Sequence, residues 1–287
     1  MNLRILVRAA LAALLLALGT APAHATPSAA GAGAFQSTRF SVQTRGAGPD
    51  VILIPGLTSG RDVWLQAVSA IPGYRYHLIQ VSGFAGEPVR GNRQGAVVAP
   101  LAEEIARYIT ERRLDHPAIV GHSMGGTLAM MVAARHPGLA GKVMVVDMLP
   151  QPAGLFGGTA TDWGPLGNSL RNMVASPGGR MLLGNLLTAL SPPASSNRRS
   201  DPDLVARATH DLAGTDLTPQ LPRIRTPMTI VYASADARTR AATDRTFSQA
   251  YAGARGVRLV RIDGSGHMVM LDQPARFAAA LRTFLRQ

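Results

Sequence analysis

The residues in this chain whose types and spacing could carry covalent chemistry are a serine, several aspartates and a late histidine. Ser123 stands in Gly121-His122-Ser123-Met124-Gly125, directly after the apolar run Ala118 to Val120 and directly before Thr127 to Arg135, which reads as a helix. A strand that turns sharply into a helix can lift one side chain above a sheet. Glycine is needed on both flanks, because the turned residue sits in a strained backbone and a neighbouring Cβ would collide with it. Gly126 then lets the helix approach the sheet closely. A serine hydroxyl is a poor nucleophile near neutral pH, so it requires a base within hydrogen-bond reach and a third group to fix the tautomer of that base.

The chain holds 7 histidines. His24 falls in an N-terminal apolar segment, His122 is locked inside the turn, and His136 lies at a helix end before Pro137, where an imidazole complements the helix dipole. His77, His116 and His210 have no motif around them. His267, in Gly264-Ser265-Gly266-His267, alone follows a strand in a glycine-rich loop that could be delivered above the sheet, and it is the expected base.

These segments resemble the α/β-hydrolase superfamily over Phe35 to Gln287. The resemblance is carried by Ile54-Pro55-Gly56-Leu57 after a strand, by the GHSMG turn, by Ala235-Asp236 after another strand, and by Gly264 to His267. The order serine, aspartate, histidine matches as well. The similarity is greatest to esterase-like members with a small helical cap. One departure is Pro55, where many relatives have histidine before the glycine. The resemblance implies an α/β-hydrolase fold: a mostly parallel central sheet, flanked by helices and carrying a helical cap insertion. It also implies Asp236 as the third catalytic member. Asp147 is the rival, since it ends a strand at which some relatives place the acid, and Asp263 is a weaker candidate. Attack on a carbonyl creates an oxyanion, and loss of one preorganised donor to it typically costs about 3 kcal/mol. Two backbone N–H groups are therefore expected to face it, those of Leu57 and Met124.

The elements that must position these groups are short apolar runs bounded by Gly or Pro and alternating with helix-length segments, the pattern of buried parallel strands joined by helical crossovers. The expected strands are Val51 to Ile54, Tyr76 to Val81, Ala118 to Val120, Val143 to Val146, Met228 to Tyr232 and Val257 to Ile262. Phe35 to Thr44 reads as an antiparallel hairpin at one edge. Ala96 to Arg113 and Gln273 to Arg286 have helical spacing. Residues 150–220 break the rhythm, being too long for an ordinary connection. They read as a cap, with short helices at Asn168 to Val174, Gly179 to Leu190 and Pro202 to Leu212, and their Leu, Met and Pro content suits an apolar acyl or alcohol group.

Arg4, Arg8, the apolar run Ala9 to Leu18 and Ala23-His24-Ala25 read as an export signal with cleavage near Ala25. The run is about half the ~20 residues that cross a bilayer. Residues 1–25 are thus an expected signal peptide, 26–34 a flexible Gly/Ala/Ser/Pro linker and 35–287 one hydrolase domain, periplasmic or secreted. A chain with 0 cysteines has neither disulfides nor a cysteine nucleophile. Its net charge of +12 comes almost wholly from arginine, with Lys142 the one lysine. The arginines are scattered without interleaved aromatics, which argues against a nucleic-acid groove and for a solvated basic surface that could touch an anionic envelope. No metal or nucleotide motif is present, so no cofactor is expected. The expected activity is cleavage of a small-molecule carboxylic ester through an acyl-enzyme. Acyl transfer, or amide, lactone or carbon–carbon cleavage, are alternatives on the same triad, and a non-catalytic binding protein is the alternative of another class.

Overall fold

The computed structural model describes residues 35–156, 176–182 and 196–287. The expected signal peptide and linker, the expected helix at Asn168 to Val174 and most of the one at Gly179 to Leu190 lie outside the described residues. In chain order the strands are β1 (Phe40–Arg45), β2 (Asp50–Ile54), β3 (Arg75–Val81), β4 (Ala118–His122), β5 (Lys142–Val146), β6 (Met228–Ser234) and β7 (Arg258–Asp263). They form one seven-stranded sheet of order β1-β3-β2-β4-β5-β6-β7. Every pairing is parallel except that of β1 with β3.

The edge differs from the expected hairpin. Both sides of β2 are taken, by β3 and by β4, so β1 cannot pair with the strand that follows it. It crosses to the open side of β3 instead, with Phe40 opposite Val81 and Arg45 opposite Tyr76.

The central strands are buried on both faces, which explains their unbroken apolar sequences. On one face Val51, Leu53, Val120, Met144 and Val231 pack with α1 (Leu65–Ala70) and with Phe277, Leu281 and Phe284 of the C-terminal helix, Pro274–Arg286. Trp64 and Phe277 close this layer with ring centroids 6.0 Å apart. The other face receives the helix that follows β4. Between these elements lie α2 (Val98–Glu111), α3 (Met124–Arg135), α4 (Pro202–Ala213), α5 (Arg240–Ala250) and α6 (Val269–Asp272), and the C-terminal helix is α7.

The described end of the long insertion is bound to the sheet domain. Asp201 caps α4 by accepting from Leu204 N–H at 2.8 Å. Near the other end of α4, Asp211 Oδ2 accepts from Val97 and Val98 N–H at 2.6 and 3.2 Å, serving as a cap for α2. Arg207 donates to the carbonyls of Asn92 and Gly95 at 2.7 and 2.9 Å.

Candidate active site

The strand β4 ends in a turn that only this sequence pattern allows. Ser123 has φ 52° and ψ −121°, a left-handed φ for a residue with a Cβ, and such strain characterises nucleophile turns. The flanking glycines are required by contact. A Cβ on Gly121 would lie 2.0 Å from Gly125 O, and one on Gly125 would lie 2.2 Å from Ile54 O. The turn is pinned by Ser123 N–H donating to Val146 O at 2.9 Å and by Ser123 O accepting from Gly126 N–H at 2.8 Å. Ser123 is half-buried while His122 and Met124 on either side are buried.

The loop after β2 packs directly on this turn, since a Cβ on Gly56 would lie 3.1 Å from Ser123 Cβ and 2.8 Å from His122 Nδ1. Ser59 N–H donates to Gly56 O at 3.2 Å, closing a turn in which Thr58 has φ 63°. Among the described residues neither the Leu57 nor the Met124 N–H has a hydrogen-bond partner. Met124 begins α3, so its N–H also lies at the positive end of a helix dipole.

His267 is held from two sides. Its Nδ1 lies 2.7 Å from Asp147 Oδ2, and its carbonyl oxygen lies 2.9 Å from His122 Nε2. The rings of His122 and His267 are 4.7 Å apart at their centroids. A carboxylate accepts, which assigns the proton to Nδ1 of His267 and leaves Nε2 as the basic nitrogen. Ser123 Oγ makes no hydrogen bond to the imidazole among the described residues, and bonds of this kind commonly close only in the substrate complex. His122, fully buried, is pushed down to about 3 by desolvation and then by the neighbouring His267. It is neutral, with Nε2–H donating to His267 O.

The expected partnership of His267 with Asp236 is not the one formed. Asp147 sits one residue past β5 with φ 51°, which turns its side chain across the end of β6. There Oδ1 accepts from Ala233 N–H at 2.9 Å while Oδ2 takes His267, and Asp147 N–H donates to Val231 O at 2.7 Å. Asp236 instead closes its own turn: it accepts from Arg238 N–H at 2.8 Å and from the Arg238 guanidinium at 3.0 and 3.1 Å. The Arg238 contacts hold the Asp236 carboxyl below its usual range. An aspartate beyond a strand end readily bonds backbone N–H groups two residues on, and that local bond wins here. Asp263 pairs with Arg261 at 2.7 Å and Arg240 at 3.1 Å, a structural role. The sequence signal for Asp147 was its place at the end of a central strand. Nothing in the sequence indicated the bond from His122 to His267.

A parallel sheet whose strand ends present a strained serine and a carboxylate-bound histidine has the architecture of a hydrolytic enzyme. The family model described as the alpha/beta hydrolase family matches residues 51–280, and the chain belongs to that family. A pimeloyl-(acyl-carrier protein) methyl ester esterase of Vibrio vulnificus is 27% identical over 217 residues, covering 70% of this chain and 81% of that protein. The enzyme of the same description from Aromatoleum aromaticum is 23% identical over 257 residues, covering 83% of this chain and 98% of the relative. Among solved structures, an enol-lactonase from Burkholderia xenovorans LB400 superposes with a TM-score of 0.64 at 17% identity, over 86% of this chain and 96% of that one.

Proposed function

We propose that this enzyme hydrolyses carboxylic esters through an acyl-enzyme formed on Ser123. His267 Nε2 takes the proton of the Ser123 hydroxyl as the oxygen attacks the ester carbonyl. The Leu57 and Met124 N–H groups receive the oxyanion, and the imidazolium returns its proton to the leaving alcohol. Water, deprotonated by the same nitrogen, then releases the acid and frees Ser123. Asp147 holds the tautomer that makes Nε2 available and stabilises the imidazolium. The 2.7 Å bond between Asp147 and His267 carries this reading, because it supplies the orienting group that the serine mechanism requires. Both relatives are named for methyl ester cleavage, which supports an ester of a small alcohol as the first substrate class to examine.

The test is Ser123→Ala assayed on methyl and p-nitrophenyl esters, with fluorophosphonate labelling alongside. We expect a folded protein by circular dichroism with turnover and labelling both lost. Undiminished labelling of the folded variant would move the nucleophile elsewhere.

A further inference from the structure

Ser200 is 5% exposed and lies where the long insertion returns to the sheet domain. Its hydroxyl joins two loops that are far apart in sequence, donating to Thr58 O at 3.1 Å and accepting from Ala85 N–H at 3.0 Å. Thr58 belongs to the turn after β2, and Ala85 to the loop after β3. Both residues carry a Cβ in left-handed backbone, with φ 63° and 54°, a strained conformation that persists only where surroundings enforce it.

The position of Ser200 is itself fixed. The next residue, Asp201, donates its N–H to Gly83 O at 2.7 Å and caps α4 with its side chain. Leu204, in the first turn of α4, is fully buried, and its Cδ2 would lie 2.4 Å from a Cβ on Gly83. The hydroxyl is thus mounted on a docked helix start.

The consequence follows from turn geometry. The Gly56–Ser59 turn is closed by Ser59 N–H to Gly56 O at 3.2 Å, with Thr58 at the turn position that favours glycine. Leu57, just before Thr58, has its N–H outside that bond. A Thr58 free to relax toward negative φ would reorient the preceding peptides and carry the Leu57 N–H with them. The Ser200 hydroxyl opposes this by holding the Thr58 carbonyl. Without it, a buried carbonyl and a partly buried N–H also lose their partner.

We infer that Ser200 is a positioning residue for the oxyanion site, locking the Leu57 N–H in place through Thr58. This rests on the serine-hydrolase reading above. Full loss of one oxyanion donor lowers kcat by about 10²–10³, so a donor displaced but present is expected to lose about 10- to 100-fold. The experiment compares wild type, Ser200→Ala and Ser200→Thr by ester kinetics, by fluorophosphonate titration of Ser123, and by affinity for a trifluoromethyl ketone, whose serine hemiketal places an oxygen anion in the same site.

The expected result for Ser200→Ala is a 10- to 100-fold fall in kcat. Trifluoromethyl ketone affinity should fall in parallel, while KM stays within about threefold and the titratable fraction of Ser123 is unchanged. Ser200→Thr keeps the hydroxyl and should restore both. If Ser200→Ala does not fold, Ser200→Cys, with a weaker donor of similar size, should give intermediate losses in the same two quantities. Ketone affinity and kcat within twofold of wild type in the folded variant would overturn the inference, as would losses that track KM alone. A wild-type enzyme that forms no hemiketal on Ser123 would overturn the serine-hydrolase reading and this inference together.

Discussion

At the residue scale the decisive interaction is the one between Asp147 and His267, because of the three candidate aspartates only Asp147 reaches the imidazole, Asp236 being taken by Arg238 and Asp263 by Arg261. An orienting carboxylate replaced by its amide favours the wrong imidazole tautomer, at a cost of about 10⁴ in kcat. Asp147→Asn is therefore expected to lower kcat by about 10⁴, whereas Asp236→Asn should change it by less than about threefold, since Asp236 is occupied by Arg238 at the surface. Steady-state kinetics normalised by active-site titration checks both. A larger catalytic loss at Asp236 would return the acid to the end of β6. Ser123 and His267 could be singled out in the sequence because each sits in a local glycine-rich pattern that does not depend on distant residues; the roles given to them are those proposed above. The carboxylate that binds His267 could not be singled out in this way. Choosing between Asp147 and Asp236 depends on a backbone angle after β5, which has no sequence signature, and on whether Arg238, visible two residues after Asp236, claims that carboxylate, which the sequence alone does not decide.

At the scale of elements, the sequence carried the strands well because burial on both faces writes itself as continuous apolar runs, as in Val51 to Ile54 and Val143 to Val146. Pairing partners were less legible: β1 lies on β3 because β2 has no open side, a fact about the whole sheet. The turn from β4 into α3 is where local sequence and packing agree most closely, and its glycines should not be equivalent. A Cβ on Gly125 would meet backbone, Ile54 O at 2.2 Å, while one on Gly126 would meet the Val145 side chain at 2.9 Å. A side chain yields more readily than a strand carbonyl. Gly126→Ala is expected to cost about 1–3 kcal/mol of overpacking, partly offset by the better helix propensity of alanine. Gly125→Ala should cost distinctly more or prevent folding. Urea denaturation of the two variants checks the order. Equal stability would mean that close approach to β2 is not what the Gly125 position requires.

At the scale of the whole molecule, the sheet has a chemical polarity. Ser123, Asp147 and His267 gather at the carboxyl ends of the parallel strands, where such sheets bind ligands. At the opposite end a second buried cluster serves stability. There His77 Nε2 donates to Asp50 Oδ1 at 2.7 Å and His77 Nδ1 accepts from the Tyr108 hydroxyl at 2.7 Å. Arg75 also binds Asp50, at 2.8 Å through Nη2, and holds its carboxyl below the usual range. Burial lowers His77 despite the Asp50 carboxylate, with Arg75 and Arg112 adding in the same direction.

His122, facing His267 and Asp147, is lowered further, to about 3. A depressed folded pKa means that the unfolded chain takes up the proton first. The stability these two histidines contribute is therefore full above the ordinary histidine value near 6.5 and is lost as pH falls below it. For His122 the loss amounts to about 1.4 kcal/mol for each pH unit below that value until the folded pKa is reached, and His77 adds to the slope. Unfolding free energies from urea titrations at pH 7.5, 6.5 and 5.5 should fall progressively. His77→Gln, whose amide can donate to Asp50 and accept from Tyr108, should fold and show a shallower slope. A flat profile over this range would mean that both imidazoles are charged or solvated in the folded protein, and a His77→Gln variant with the wild-type slope would mean this of His77 alone. Acid sensitivity would then have to come from the arginine-bound carboxylates, whose depressed values place their losses below pH 5.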